Sequence, residues 1–145
     1  MRCLFPVDAI IPYSQPFINK GLNPAPKTIG EKLRNKRLEL NLLQSDLARM
    51  FKVSEDCITY WENNRSEPQI RFMPAIISFL GYLPFSIDSS SLGGKIKLYR
   101  HINGISQEEF ANMVGVNEST VFYYENDKHK PLPKTLKKIN QLLNV

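Results

Sequence analysis

Side chains that carry most enzyme chemistry are scarce in this chain of 145 residues, which has two histidines, His101 and His129, and two cysteines, Cys3 and Cys57. Neither histidine has a nucleophile or a metal-ligand spacing around it, so both are expected to be surface residues. The cysteines lack the count and spacing of a disulfide framework or a zinc site. Gly93-Gly94 opens a helix pattern and is not part of a phosphate-binding loop. No catalysis, metal or cofactor is expected. What recurs instead is hydrogen-bonding and aromatic chemistry in fixed order: Tyr60 to Pro68 reads YWENNRSEP, and Tyr123 to Pro131 reads YYENDKHKP.

The two stretches belong to a longer repeat. Sliding Gly30 onto Gly93 aligns Gly30 to Tyr82 with Gly93 to Val145 without a gap. Identities fall at Lys32/Lys95, Arg37/Arg100, Gln44/Gln107, Ala48/Ala111, Met50/Met113, Val53/Val116, Glu55/Glu118, Tyr60/Tyr123, Glu62/Glu125, Asn63/Asn126 and Pro68/Pro131. One register held over so many positions marks two copies of one structural unit.

Within each copy the apolar spacing is helical and short. Ile29, Leu33 and Leu40 suit one face of a first helix, with Asn41 (Gly104 in the second copy) where a positive-φ terminator is wanted. A second helix turns Leu47, Ala48 and Phe51 inward, matched by Phe110, Ala111 and Val114. A tight turn, Lys52-Val53 or Gly115-Val116, leads to a capping residue, Ser54 or Asn117, whose side chain can accept from free amides. A third helix then buries Ile58 and Trp61, or Val121 and Tyr124. That leaves Glu55, Asp56, Thr59 and Tyr60, or Glu118, Ser119, Phe122 and Tyr123, on its outer face.

The expected organisation is a proline-spaced arm over 1–27, a first domain over 28–85, a polar, flexible linker over 86–91 and a second domain over 92–145. Prolines at 6, 12, 16, 24 and 26 exclude regular helix from most of the arm, which is either disordered or an extended strap over the first unit. No apolar run is long enough to cross a bilayer, and Pro6 and Pro12 interrupt the one candidate for a signal-peptide core. With thiols read as reduced, the expected location is cytoplasmic. The formal charge of +5 permits a polyanionic partner without requiring one.

Two short helices joined by a turn of a few residues describe a helix-turn-helix. The stretches LNLLQSDLARMFKVSEDCITYWENNRSEP and INGISQEEFANMVGVNESTVFYYENDKHKP resemble the Cro and lambda-repressor type of DNA-binding domain. The segment RFMPAIISFLG, with Pro74 at a harmless first-turn position, resembles the family's closing helix, and Thr135 to Leu143 is its expected counterpart. The resemblance implies an all-α fold of two tandem five-helix domains, binding double-stranded DNA with helices 54–63 and 117–126 in the major groove.

Carried onto this chain, the resemblance gives Gln44 and Gln107 a reach toward the phosphate backbone or an adjacent base, since an amide both donates and accepts. Thr59 and Ser119 could address any base edge, Tyr60 or Phe122 could pack on a thymine methyl, Tyr123 stands among the DNA-facing residues, and Phe122, Tyr123 and Tyr124 are as consistent with a protein contact. Glu55, Asp56 and Glu118 either accept from cytosine or stabilise the positive end of a helix. Asn63, Asn126, Arg65, Lys128 and Lys130 stand where family members touch phosphates, or are ordinary solvated loop residues. Arg37 with Glu62, and Arg100 with Glu125, correspond to a structural ion pair fastening the first helix to the third.

The copies differ. The second keeps Ser106 and Glu109 in capping-box spacing and Gly115 in the turn, whereas Leu43 and Lys52 in the first depart from the family pattern, so the precision of its turn is left open. Lys134, Lys137 and Lys138 add basic charge to the second copy, which is expected to contribute more to DNA affinity. The functional expectation is a sequence-specific transcriptional regulator. The alternative is an interaction module, antitoxin or phage-immunity-like, in which one unit binds DNA and the other a homodimer mate or protein partner.

Overall fold

The computed structural model describes residues 21–144, so residues 1–20 of the arm lie outside the described residues. Among the described residues all regular structure is helical: α1 (Ile29–Glu39), α2 (Gln44–Phe51), α3 (Glu55–Glu62), α4 (Met73–Leu80), α5 (Leu92–Asn103), α6 (Gln107–Val114), α7 (Glu118–Glu125) and α8 (Pro133–Leu143). A 3-10 turn over Ile70–Phe72 precedes α4 and makes a fifth helical element in the first repeat, against four in the second. The chain divides into two compact units. The first runs to Pro68 and takes in Ser78–Pro84, the second takes in Gln69–Ile77 and continues from Phe85. The last turn of α4 therefore belongs to the first unit.

In the first unit α1 starts on Thr28, whose hydroxyl accepts from the Glu31 amide (3.1 Å). It stops where Asn41 turns left-handed (φ 55°), as its position in the pattern predicts. The buried face of α1 differs from the expected apolar stripe: Gly30, Leu33 and Arg37 are buried, while Ile29 and Leu40 are half-buried. Close approach at a glycine and an ion pair at an arginine replace two of the greasy positions. Leu47, Ala48, Phe51, Ile58 and Trp61 are buried as expected. Phe51 meets the rings of Trp61 (centroids 6.2 Å) and Phe79 (5.9 Å, edge-on), which ties α2 to α3 and to the last turn of α4.

Ahead of α1, the arm's end is strapped down. Asn23 and Asn35 exchange backbone-to-amide bonds (2.9 and 2.7 Å), and the Lys27 amide donates to Glu31 (2.7 Å). That bond, followed by one from the Asn64 amide, holds the Glu31 carboxyl below the usual carboxylate range.

The second unit encloses Ile96, Phe110, Ala111, Val114, Val121, Tyr124 and Ile139, flanked by Leu92, Tyr99, Ile105, Val116, Leu142 and Leu143. α8 begins two residues before the expected Thr135, with Pro133 at the first position, where a missing amide costs nothing. The linker over 86–91 ends in a cap: Ser91 accepts from the Gly94 amide (3.1 Å), and Asp88 accepts from the Ser90 amide (2.9 Å), which lowers the Asp88 carboxyl's pKa. His101, expected at the surface, is half-buried against Phe85 (centroids 5.2 Å), and this desolvation lowers its pKa.

Phe110 is fully buried and meets Tyr99 edge-on (6.1 Å). Phe110→Ala is expected to destabilise the second unit by roughly 3–5 kcal/mol, through lost transfer energy plus an unfilled cavity. Urea unfolding followed by circular dichroism checks it.

Candidate nucleic-acid interface

Each unit builds the same helix, left-handed turn and helix. α2 ends as Lys52 turns left-handed (φ 56°, ψ 46°) and the Val53 amide donates to the Ala48 carbonyl (3.0 Å). α6 ends on Gly115 (φ 79°, ψ 36°), with Val116 donating to Ala111 (3.0 Å). The two turns share one left-handed geometry despite the departure at Lys52. Lysine takes the glycine conformation at a cost of roughly 1–2 kcal/mol, and the backbone bonds close in the same way.

At the start of α6 the capping box is complete: Ser106 accepts from the Glu109 amide (3.1 Å) and Glu109 from the Ser106 amide (2.7 Å), which lowers the Glu109 carboxyl's pKa. Leu43 has no side-chain acceptor, so α2 keeps the reciprocal half alone, with the Leu43 amide donating to Asp46 (2.8 Å). Ser54 caps α3 through the Cys57 amide (3.3 Å). Asn117, expected to cap α7 in the same way, makes no side-chain capping bond.

Behind each outer face stands a brace. Glu62 accepts from Arg37 Nε (2.6 Å), Arg37 Nη2 (2.8 Å) and Gln44 Nε2 (2.9 Å), while Arg37 Nη1 reaches the Leu42 carbonyl (2.9 Å). In the second unit Arg100 Nε and Nη2 engage both oxygens of Glu125, Gln107 Nε2 donates to Glu125 (2.8 Å), and Arg100 Nη1 donates to the Ile105 carbonyl (3.0 Å). These are fork-to-fork pairs with all strong acceptors met, fastening α1 to α3 and α5 to α7. Gln44 and Gln107 thus have one amide proton committed to the brace and are half-buried.

Thr59 goes further: its single hydroxyl proton lies between Gln44 Oε1 (3.0 Å) and the Glu55 carbonyl (3.1 Å), and the residue is half-buried. Phe122 occupies the matching place in the second unit, so Gln107 Oε1 has no such donor among the described residues.

Glu55, Asp56, Tyr60, Asn63, Arg65, Glu118, Ser119, Phe122, Tyr123, Asn126 and Lys128 are all exposed. On α7, Phe122 meets Tyr123 edge-on (5.8 Å), and Tyr123 stacks on His129 (4.9 Å, 20° between planes), giving an exposed aromatic run with no counterpart on α3. Asn126 turns its amide back onto the Phe122 carbonyl (2.8 Å), which satisfies the end of α7.

Sequence reasoning did not single out four residues that place these helices. Gly30 lets α1 approach α3 so closely that a Cβ there would lie 1.7 Å from the Trp61 carbonyl oxygen, and one at Gly93 would lie 2.3 Å from that of Tyr124. Asn64 and Asp127 follow the third helix in left-handed conformation (φ 58° and 55°). Asn64 joins Thr28 (2.6 Å) and Glu31 (3.0 Å), and Asp127 accepts from the Gly93 amide (3.3 Å). The signal was in the register: glycine repeats at 30 and 93, and two residues tolerant of positive φ repeat at 64 and 127.

No described helix is long and apolar enough to cross a membrane. Comparison with curated proteins and with solved structures gives no match. The helix-turn-helix family matches twice, over residues 33–86 and 96–145, and each match spans a braced pair of short helices with the turn between them. Twice over, then, this chain belongs to the helix-turn-helix family of DNA-binding proteins, as a tandem pair of Cro and lambda-repressor-type domains.

Proposed function

We propose that the chain is a sequence-specific transcriptional regulator without catalysis, acting on double-stranded DNA in the cytoplasm through α3 and α7 in successive major-groove sites. One observation carries this reading: in both units an exposed, hydrogen-bonding outer face is held on a helix whose inner side is pinned by a buried ion pair. Contacts to bases discriminate only when the reading helix is held in place, and contacts to phosphates set its register. Because the faces differ at Asp56/Ser119 and Thr59/Phe122, the two half-sites differ in sequence, about 34–36 Å apart if each unit takes one turn of duplex.

Selection of bound duplexes from a random pool tests it, with Gln44→Ala/Gln107→Ala as the control chain. Two unlike half-sites are expected from the wild type, and at least a tenfold weaker affinity from the control, equivalent to about 1.4 kcal/mol. The control should stay folded, losing about 1–2 kcal/mol for each amide withdrawn from the brace. Enrichment of no sequence at all would overturn the proposal.

The exposed run of Phe122, Tyr123 and His129 supports a second reading, in which α7 meets a protein partner or a second copy of the chain. Under it, Phe122→Ala changes the oligomeric state or partner capture and leaves DNA affinity as it was.

A further inference from the structure

At the turn between the paired helices, one cation arrives by two different routes. In the first unit Lys52 itself sits in the left-handed position. In the second that position is Gly115, and Lys138 on α8 extends its Nζ to 3.5 Å from the point where a Gly115 Cβ would be. The repeat register pairs Lys52 with Gly115 and Lys138 with Ala75, so each copy has a lysine where the other has a small residue. Both lysines are exposed. Among the described residues the ion pairs are Arg37–Glu62, Arg49–Asp46 and Arg100–Glu125, so neither ammonium is neutralised by a carboxylate.

Stability does not account for a lysine at position 52, since a side chain at positive φ is strained where glycine is not. Nor does helix periodicity, because Lys138 is drawn across to a turn rather than to a neighbour on its own helix. The turn does stand directly ahead of the first residues of α3 and α7. There Glu55 and Asp56, or Glu118, would meet a polyanion at a cost. An unpaired cation beside them would offset that repulsion.

We propose that Lys52 and Lys138 are equivalent phosphate-positioning residues, one at each helix-turn-helix turn. This rests on the DNA reading given above and names contacts for both units. Such contacts strengthen binding to any sequence and do not select among sequences.

The test is the salt dependence of binding of the full chain to a mixed-sequence duplex, followed by fluorescence anisotropy. The plot of log affinity against log salt is expected to flatten by about one for K52G and for K138A, and by about two for the double variant. K138R should keep the wild-type slope, and moving the charge in G115K/K138A should restore it. Thermal unfolding of K52G should occur no lower than that of wild type, because glycine suits the turn, so lost affinity would not reflect lost fold. A double variant with the wild-type slope overturns the assignment of these lysines while leaving DNA binding standing. A wild-type chain with no salt-dependent duplex binding overturns the DNA reading, and this assignment with it.

Discussion

Glu62→Ala is expected to destabilise the first unit by roughly 3–5 kcal/mol and leave it largely unfolded, because the change strands the Arg37 guanidinium in the core without its counter-charge. Glu62 is 4% exposed and Arg37 9%. The carboxylate accepts two guanidinium bonds and one from Gln44, so its loss breaks three charge-assisted contacts and unties α3 from both α1 and α2. A unit of some 60 residues is marginal to begin with, and a loss of that size approaches its whole stability. Trp61 is the chain's only tryptophan and is buried in this unit, which makes its fluorescence a local reporter. In urea the Trp61 transition should move to much lower denaturant in Glu62→Ala and stay in place in Glu125→Ala, whose lesion lies in the second unit. An unshifted Trp61 midpoint in Glu62→Ala would show the brace to be energetically idle.

The second large effect is expected from the smallest change. Gly30→Ala adds one methyl group, yet that carbon would sit 1.7 Å from the Trp61 carbonyl oxygen and 2.6 Å from its carbonyl carbon. Both are backbone atoms at the end of α3, so no side-chain rotation relieves the clash and α1 must move off α3. A loss of about 3 kcal/mol is expected, at the upper end of what overpacking costs. On the DNA reading proposed above, affinity should fall too, because α3 loses the helix packed behind it. Gly81 is the internal control: its surroundings are open and only its φ of 81° disfavours a side chain, so Gly81→Ala should cost about 1–2 kcal/mol. Thermal unfolding followed by Trp61 fluorescence separates them, and equal losses at the two glycines would count against the close-approach argument.

Much of this arrangement is legible in the residues. Leu47, Ala48, Phe51, Ile58 and Trp61 announce two short helices by spacing alone, and Asn41 and Gly104 mark where a chain must turn left-handed. The buried face of α1 escapes such reading because its two decisive residues are a glycine and an arginine, which no apolar pattern counts. At α8 the helix starts at Pro133, two residues ahead of the expected Thr135, because proline's missing amide costs nothing in the first turn. The ion pairs were accessible through resemblance to a family. The engagement of Gln44 with both Glu62 and Thr59 was not, since it depends on side chains from different helices converging in space. Lys138 poised over Gly115 was hidden for the same reason.

The brace has a consequence for how such a duplicated chain can diverge. Arg37, Gln44 and Glu62 recur unchanged as Arg100, Gln107 and Glu125, whereas Asp56 and Thr59 have become, or come from, Ser119 and Phe122. The braced residues are held in common, while on the outer side of each eight-residue helix Glu55/Glu118 and Tyr60/Tyr123 are shared and the other two positions are not. If the outer side meets DNA as proposed above, a substitution at those two positions changes what is read with little risk to folding. Thr59 is the exception, since its hydroxyl also steadies Gln44. Where phenylalanine stands in its place, Gln107 is released from that duty and can be recruited to a new one.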